Sequence, residues 1–271
     1  MTTLKPRRWR STLLPLAVVV PAAWLTTPAA AQEAAPTCFS SIPTIIVPPG
    51  GQPVEGTGGD DVILGSPGDD SIDGRGGTDK ICGAGGNDTL KGGGGRDLID
   101  GDAGDDTIAG NDGDDLLLFG DAGRDRIDGN EGNDKIRGGD NDDRVAGGNG
   151  EDTVEGNNGD DRVLSAGDSG DGRDSLFGDD AFFDTASGND LVTGNGSGPK
   201  LLDGGAGDDS LTGGHADDLF FDTFGGDDVM IGLGGNDVFA SCGPGTDQVD
   251  GRQGTDSLGI NAQCEHVLNV P

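Results

Sequence analysis

Aspartate recurs every nine residues along much of this chain, always two places before an aliphatic residue. From Gly56 to Leu164 the sequence reads as twelve consecutive units of the pattern G-x-x-G-x-D-x-U-x, where U is Ile, Leu or Val. The sixth position holds Asp61, Asp70, Asp79, Asp88, Asp97, Asp106, Asp115, Asp125, Asp134, Asp143, Asp152 and Asp161. The eighth holds Ile63, Ile72, Ile81, Leu90, Ile99, Ile108, Leu117, Ile127, Ile136, Val145, Val154 and Val163, with Phe119 read as one extra residue that shifts the register. Carboxylates beside glycine turns are the donor set of a hard cation. Calcium takes six to eight oxygen ligands and mixes carboxylates with backbone carbonyls. A glycine turn presents its carbonyls freely, because no Cβ blocks the approach.

The elements that position these aspartates follow from the same period. Glycine density and a nine-residue repeat exclude helix. The first five positions of the unit are turn chemistry. Positions six to nine leave room for one short strand, with the eighth residue inward and its neighbours outward. Two units then make one coil, and the coils stack as a flattened all-β parallel solenoid with a glycine-aspartate turn at each edge. Turns on one edge of adjacent coils stand about 4.8 Å apart. Two carboxylates at that spacing repel by about 1 kcal/mol in water and by several at an effective dielectric near 20. A divalent ion between them reverses the sign. One buried aliphatic per nine glycine-rich residues is a weak core, so the array is expected to be disordered without metal and to fold when calcium binds.

Composition agrees. Glycine supplies 55 of 271 residues, about three times its usual share. There is no Tyr and there are only nine Phe, so no conventional globular core can form. The formal charge of −33 repels nucleic acid and anionic membrane surfaces and attracts cations.

The N-terminus carries the three parts of a secretory signal: basic Lys5, Arg7, Arg8 and Arg10, an apolar stretch from Leu13 to Leu25, and small residues at Ala29-Ala30-Ala31. Cleavage is expected after Ala31. The apolar stretch is too short to span a bilayer, so no membrane insertion is expected. Arg7-Arg8 would suit twin-arginine export, but Arg10 and Ser11 stand where apolar residues belong, which favours the general secretory route. Four cysteines follow: Cys38, Cys82, Cys242 and Cys264. An even count in an exported chain points to disulfides. Three pairings exist, and sequence proximity favours Cys38 with Cys82 and Cys242 with Cys264.

Five segments result: an export signal (1–31), a Pro-rich connector or N-terminal cap (32–55), the regular array (56–164), a degenerate array with insertions (165–259) and a C-terminal cap (260–271). Ile42, Ile45, Ile46 and Val47 are the connector's apolar cluster, and the segment reads equally as a cover for the first coil or as a linker. In the degenerate array, Gly178 to Thr185 matches Ala216 to Thr223 at a spacing of 38 residues, with Phe182-Phe183 and Phe220-Phe221 in corresponding places. One ring of each pair is expected in the core and the other over an insertion; a ligand-binding face is the alternative.

The repeat unit resembles the nonapeptide of the repeat-in-toxin (RTX) family, G-G-x-G-x-D-x-U-x, which forms a calcium-binding parallel β-roll. The resemblance covers the regular array and most of the degenerate one. It implies that multiple calcium ions sit between same-edge turns of successive coils, held by the sixth-position carboxylates and by glycine-turn carbonyls. That role carries over to the twelve aspartates above and to Asp174, Asp190, Asp209, Asp218, Asp228, Asp237, Asp247 and Asp256. It does not carry over to Lys200, which stands where an aspartate belongs, so a site is expected to be missing there. About five gaps on each edge of the regular array imply roughly ten ions. In the toxin family the repeats usually end a larger effector exported without an N-terminal signal, and this chain departs on both counts.

Other chemistries find little footing. No EF-hand loop occurs, and Gly92-Gly93-Gly94-Gly95 lacks the Lys-Ser/Thr of a phosphate loop. His215 and His266 are the only histidines, and neither has a nucleophile in a recognisable motif. The expected function is that of a secreted, non-enzymatic calcium-binding repeat protein of the cell envelope or surrounding matrix. The alternatives are an adhesin or secretion module and an enzyme with its site in the degenerate array.

Overall fold

The computed structural model describes residues 37–165, 173–178, 188–222, 224–259 and 264–270. The chain divides into Met1–Ala35 and Pro36–Pro271, and all described residues lie in the second unit. The residues read as an export signal, with the cleavage expected after Ala31, the Phe182-Phe183 pair and the ends of the C-terminal segment, Ile260 and Pro271, fall outside them.

Every regular element among the described residues is a strand. The strands form two sheets, one of 12 and one of 13 strands, and successive strands of the chain fall alternately in the two, except that the short strand Gly76–Gly77 shares a sheet with Ser71–Asp73 before it. All pairing between these strands is parallel. Ile63 pairs with Ile45 and Ile81 in one sheet, and Ile72 pairs with Val54 and Leu90 in the other. In these coils each residue meets its counterpart 18 places on, which is two repeat units; the interval is 19 from Ile99 to Leu118 and 29 from Val163 to Val192. This is the parallel β-solenoid that the nine-residue period predicts.

The core is two files of single side chains. One runs Ile63, Ile81, Ile99, Leu118, Ile136, Val154, Leu176, Leu202, Phe220 and Phe239. The other runs Ile72, Leu90, Ile108, Ile127, Val145, Val163, Val192, Leu211, Met230 and Val249. All are at most 1 % exposed. Each buried side chain contributes roughly 1.5–3 kcal/mol, and the strand alternation turns its neighbours outward. Phe220 stacks on Phe239 with ring centroids 4.7 Å apart, while Phe221 is half-buried. One ring of that pair thus fills the core.

The register shift lies elsewhere than the sequence places it. Leu118, not Leu117, enters the core and pairs with Ile99 and Ile136. Phe119 occupies an ordinary ninth position between Asp100 and Arg137. Asp115 is held in its turn by the Asp97 amide, which donates to its Oδ1 at 2.9 Å. The surplus residue is therefore taken up before the inward residue, as a bulge that leaves Leu116 38 % exposed.

Both ends are tied down. Ile45–Ile46 and Val54–Glu55 add the first strand to each sheet. Val47 is buried and Ile45 packs on the core, whereas Ile42 and Ile46 remain exposed. Cys38 is bonded to Cys82 and Cys242 to Cys264, with Cα atoms 5.7 and 5.4 Å apart. At the other end His266–Leu268 pairs with Gln248–Asp250. Across the longer units of the second half the register is kept: Leu176 pairs with Val154, and Val192 with Val163.

Candidate metal centre

The sixth-position aspartates form two ladders, one along each edge of the solenoid. In each rung the backbone N–H of one aspartate donates to Oδ1 of the aspartate one coil further on. Asp61, Asp79, Asp97, Asp115, Asp134, Asp152 and Asp174 are linked in this way at 2.8–3.0 Å. The file resumes from Lys200 through Asp218 and Asp237 to Asp256. The second ladder runs Asp70, Asp88, Asp106, Asp125, Asp143, Asp161, Asp190, Asp209, Asp228 and Asp247. All twenty aspartates singled out from the sequence thus stand in these two files. One oxygen of each rung's acceptor is a structural tie between coils, a role the spacing alone does not reveal.

The fate of the other oxygen depends on the second residue of the turn. Arg75, Ala84, Asp102, Asn111, Asp121 and Asn130 occupy that position with φ between 66° and 78°. Gly93 and Gly139 do so with φ of 107° and 128°. In these eight turns Oδ2 of Asp79, Asp88, Asp97, Asp106, Asp115, Asp125, Asp134 and Asp143 is buried and accepts no hydrogen bond. Thr57, Ser66 and Gly214 hold the second position without a left-handed φ, and there the N–H turns inward. It donates to Oδ2 of Asp61 at 2.6 Å, of Asp70 at 2.6 Å and of Asp218 at 2.7 Å. Turn handedness therefore decides whether the carboxylate is satisfied by the chain or left for another partner.

Glycine at the first position makes room for that partner. A Cβ on Gly101 would stand 2.9 Å from the Gly120 carbonyl oxygen and would overlap Asp106 Oδ2. Gly92 faces Asp97 Oδ2 and the Gly110 carbonyl in the same manner. A buried anionic oxygen and a peptide carbonyl of the next coil thus converge on one point, turn after turn. An anion buried without a hydrogen-bond donor is costly unless it is paired or metal-bound. Hard oxygen donors of both kinds are what calcium takes, so the residues fit the ion. The aspartates with a free Oδ2 and the first-position carbonyls would hold it.

Burial is the main cause of the perturbed acidities here. It pushes Asp79, Asp88 and Asp125 up to about 6, against the lowering effect of the backbone N–H each accepts. Asp106, Asp115, Asp134 and Asp237 rise to about 7 and Asp143 to about 8 for the same reason, with neighbouring carboxylates adding to the rise. Such groups bind a proton or a cation in preference to standing bare.

Lys200 breaks the pattern in a specific way. Its backbone N–H keeps the ladder, donating to Asp218 Oδ1 at 2.8 Å. Its stem fills the space in front of Gly194. Its ammonium reaches Asp174 Oδ2 at 2.9 Å, and both side chains are fully buried. The chain supplies its own cation where the sequence analysis expects a site to be missing.

Other contributors escaped the sequence reading. Glu265 Oε2 accepts the Asp247 N–H at 3.1 Å and ends the second ladder. Fifth-position Asp and Asn side chains form a further, exposed ladder in the opposite sense. Asp69 Oδ1 accepts from Asn87 N–H, and Asn87 Oδ1 in turn accepts from Asp105 N–H. Their signal was the recurrence of Asp or Asn at that position, as in Asp60, Asp69, Asn87, Asp105 and Asp114. Both histidines are exposed.

The comparisons point the same way. A family model described as the RTX calcium-binding nonapeptide repeat (4 copies) matches residues 55–90, 83–117, 119–154, 137–170, 201–221 and 222–241. Comparison with curated proteins gave no match. The matched segments cover more than half of the chain and coincide with the coils just described, so the protein belongs to the RTX calcium-binding nonapeptide repeat family.

Proposed function

We propose that this is a secreted, non-enzymatic protein whose coil folds as it takes up calcium. The observation that carries this reading is the run of eight buried Oδ2 atoms without hydrogen-bond donors, from Asp79 to Asp143 along the two edges, each facing a glycine carbonyl of the next coil. Such a file is self-repelling without a cation and cohesive with one. Asp79, Asp88, Asp97, Asp106, Asp115, Asp125, Asp134 and Asp143 form the principal binding set. Asp61, Asp70 and Asp218 contribute less, because a peptide N–H already occupies their second oxygen.

Export is supported by the basic and apolar residues of 1–31 and by the two disulfides, which form and persist in oxidising compartments. Segments 32–55 and 260–271 act as end caps, each stapled to its neighbouring coil. A catalytic role has no sequence motif to rest on: neither histidine stands with a nucleophile in a recognisable motif. The test is circular dichroism of the mature chain in chelator and in millimolar calcium, with calorimetric titration alongside. Strand signal that grows with calcium, and uptake of several ions per chain, is expected. Identical spectra in the two conditions would sink the proposal.

A further inference from the structure

The second half of the solenoid holds a cluster of three carboxylates that the nine-residue pattern does not provide. Asp222 stands at the first position of its unit, where Gly92, Gly101 and Gly110 stand in theirs. The first position faces the sixth-position carboxylate, so a side chain placed there enters the site itself. Carboxylate oxygens of Asp222, Asp228 and Asp247 lie within 4.8 Å of one another. All three residues are at most 1 % exposed.

Each carboxylate has one oxygen tied to the backbone and one without a donor. Asp228 Oδ1 accepts the Asp209 N–H at 2.7 Å, Asp247 Oδ1 accepts the Asp228 N–H at 3.1 Å, and Asp222 Oδ1 accepts the Gly225 N–H at 3.1 Å. Oδ2 of all three is buried and accepts no hydrogen bond. Gly243 closes the site on the next coil, where a Cβ would stand 2.9 Å from Asp222 Oδ1. Two oxygens that share one calcium at about 2.4 Å are at most about 4.8 Å apart, and the cluster meets that limit.

We propose that Asp222, Asp228 and Asp247 form a distinct three-carboxylate calcium site, the tightest in the chain. It rests on the calcium-binding reading above and goes beyond it in assigning Asp222, which no repeat aspartate replaces. Ligand charge is a main lever on calcium affinity. Three converging anions in a buried pocket outbid the repeat gaps, where a single free carboxylate oxygen meets a neutral carbonyl. The site lies beside the Cys242–Cys264 staple. It therefore fills first as calcium rises and orders the C-terminal coils before the regular array.

The test is titration of the mature chain with calcium against a competing chromophoric chelator, read together with the direct-excitation luminescence of europium(III) as a calcium probe. The wild type is expected to show one ion per chain bound about tenfold or more tightly than the rest. In Asp222→Asn that tight class disappears while the weaker class remains. Asp222→Gly, which restores the ordinary first-position residue, is expected to give the same loss, so that a folding defect of one variant does not decide the matter. Retention of the tight class in both variants overturns the site and leaves calcium binding by the repeats intact. A wild type that binds several ions with no tight class also overturns it. A wild type that binds no calcium overturns the repeat reading as well.

Discussion

Replacing Lys200 by Met tests whether the chain carries its own cation. The ammonium lies 2.9 Å from Asp174 Oδ2, and both side chains are fully buried. Methionine keeps most of the stem and removes the charge, which takes the ammonium away from a buried carboxylate. Breaking a buried ion pair from one side costs about 3–5 kcal/mol. Stacked repeats open locally, so the readout should be local. The Leu201 N–H donates to the Asp174 carbonyl at 2.9 Å and reports opening at this gap. In saturating calcium its hydrogen exchange should accelerate by about a hundredfold to several thousandfold, at roughly tenfold per 1.4 kcal/mol. Adding Asp174→Asn should recover most of the loss, because the amide oxygen still accepts the Asp152 N–H while the stranded charge is gone. Lys91→Met, on an exposed side chain, serves as the control and should shift little. Acceleration below tenfold in Lys200→Met, or no recovery in the double variant, would refute the reasoning.

Acidity provides a second test. The folded pKa values of Asp79, Asp106, Asp134 and Asp143 lie at about 6 to 8, above the ordinary value of 3.8. The stability linked to these groups is therefore fully present below about pH 4 and is lost as pH rises through 6 to 8. In chelator, strand signal should decline over that window, and calcium affinity should climb over the same window with proton release on binding; a coil in chelator that gains order as pH rises would contradict this. Asp97→Asn should abolish one bound ion, since the amide keeps the tie to Asp79 but not the free anion. Asp61→Asn should leave the number of ions unchanged, and equal losses in the two variants would falsify the handedness rule. Gly101→Ala forces a Cβ against the Gly120 carbonyl and Asp106 Oδ2. Thermal unfolding in calcium should show a loss of about 1–3 kcal/mol, as for an overpacked interior, together with loss of one ion.

Much of this architecture was legible because the nine-residue period serves two purposes at once. It returns Ile63, Ile81 and Ile99 to one file and Asp61, Asp79 and Asp97 to another, so the same spacing displays core and site together. What escaped was decided by local geometry. Leu117 and Leu118 are equivalent as letters, and only the pairing of Leu118 with Ile99 and Ile136 chooses between them. Lys200 reads as a lost ligand until its stem is seen to reach back one coil. Second-position handedness is hidden because Thr57 and Arg75 both read as an arbitrary residue, yet one N–H turns toward its aspartate and the other away. Asp222 was visible as a residue but not as a first-position one, since an extra residue shifts its unit.

The most direct test of the account is a crystal of the mature chain grown in calcium and measured for anomalous scattering. Calcium peaks are expected along both edges, between the free Oδ2 of aspartates such as Asp97 and the first-position carbonyls such as that of Gly110, with none between Lys200 and Asp174. Peaks confined to exposed fifth-position carboxylates, or a peak at Asp174, would contradict it.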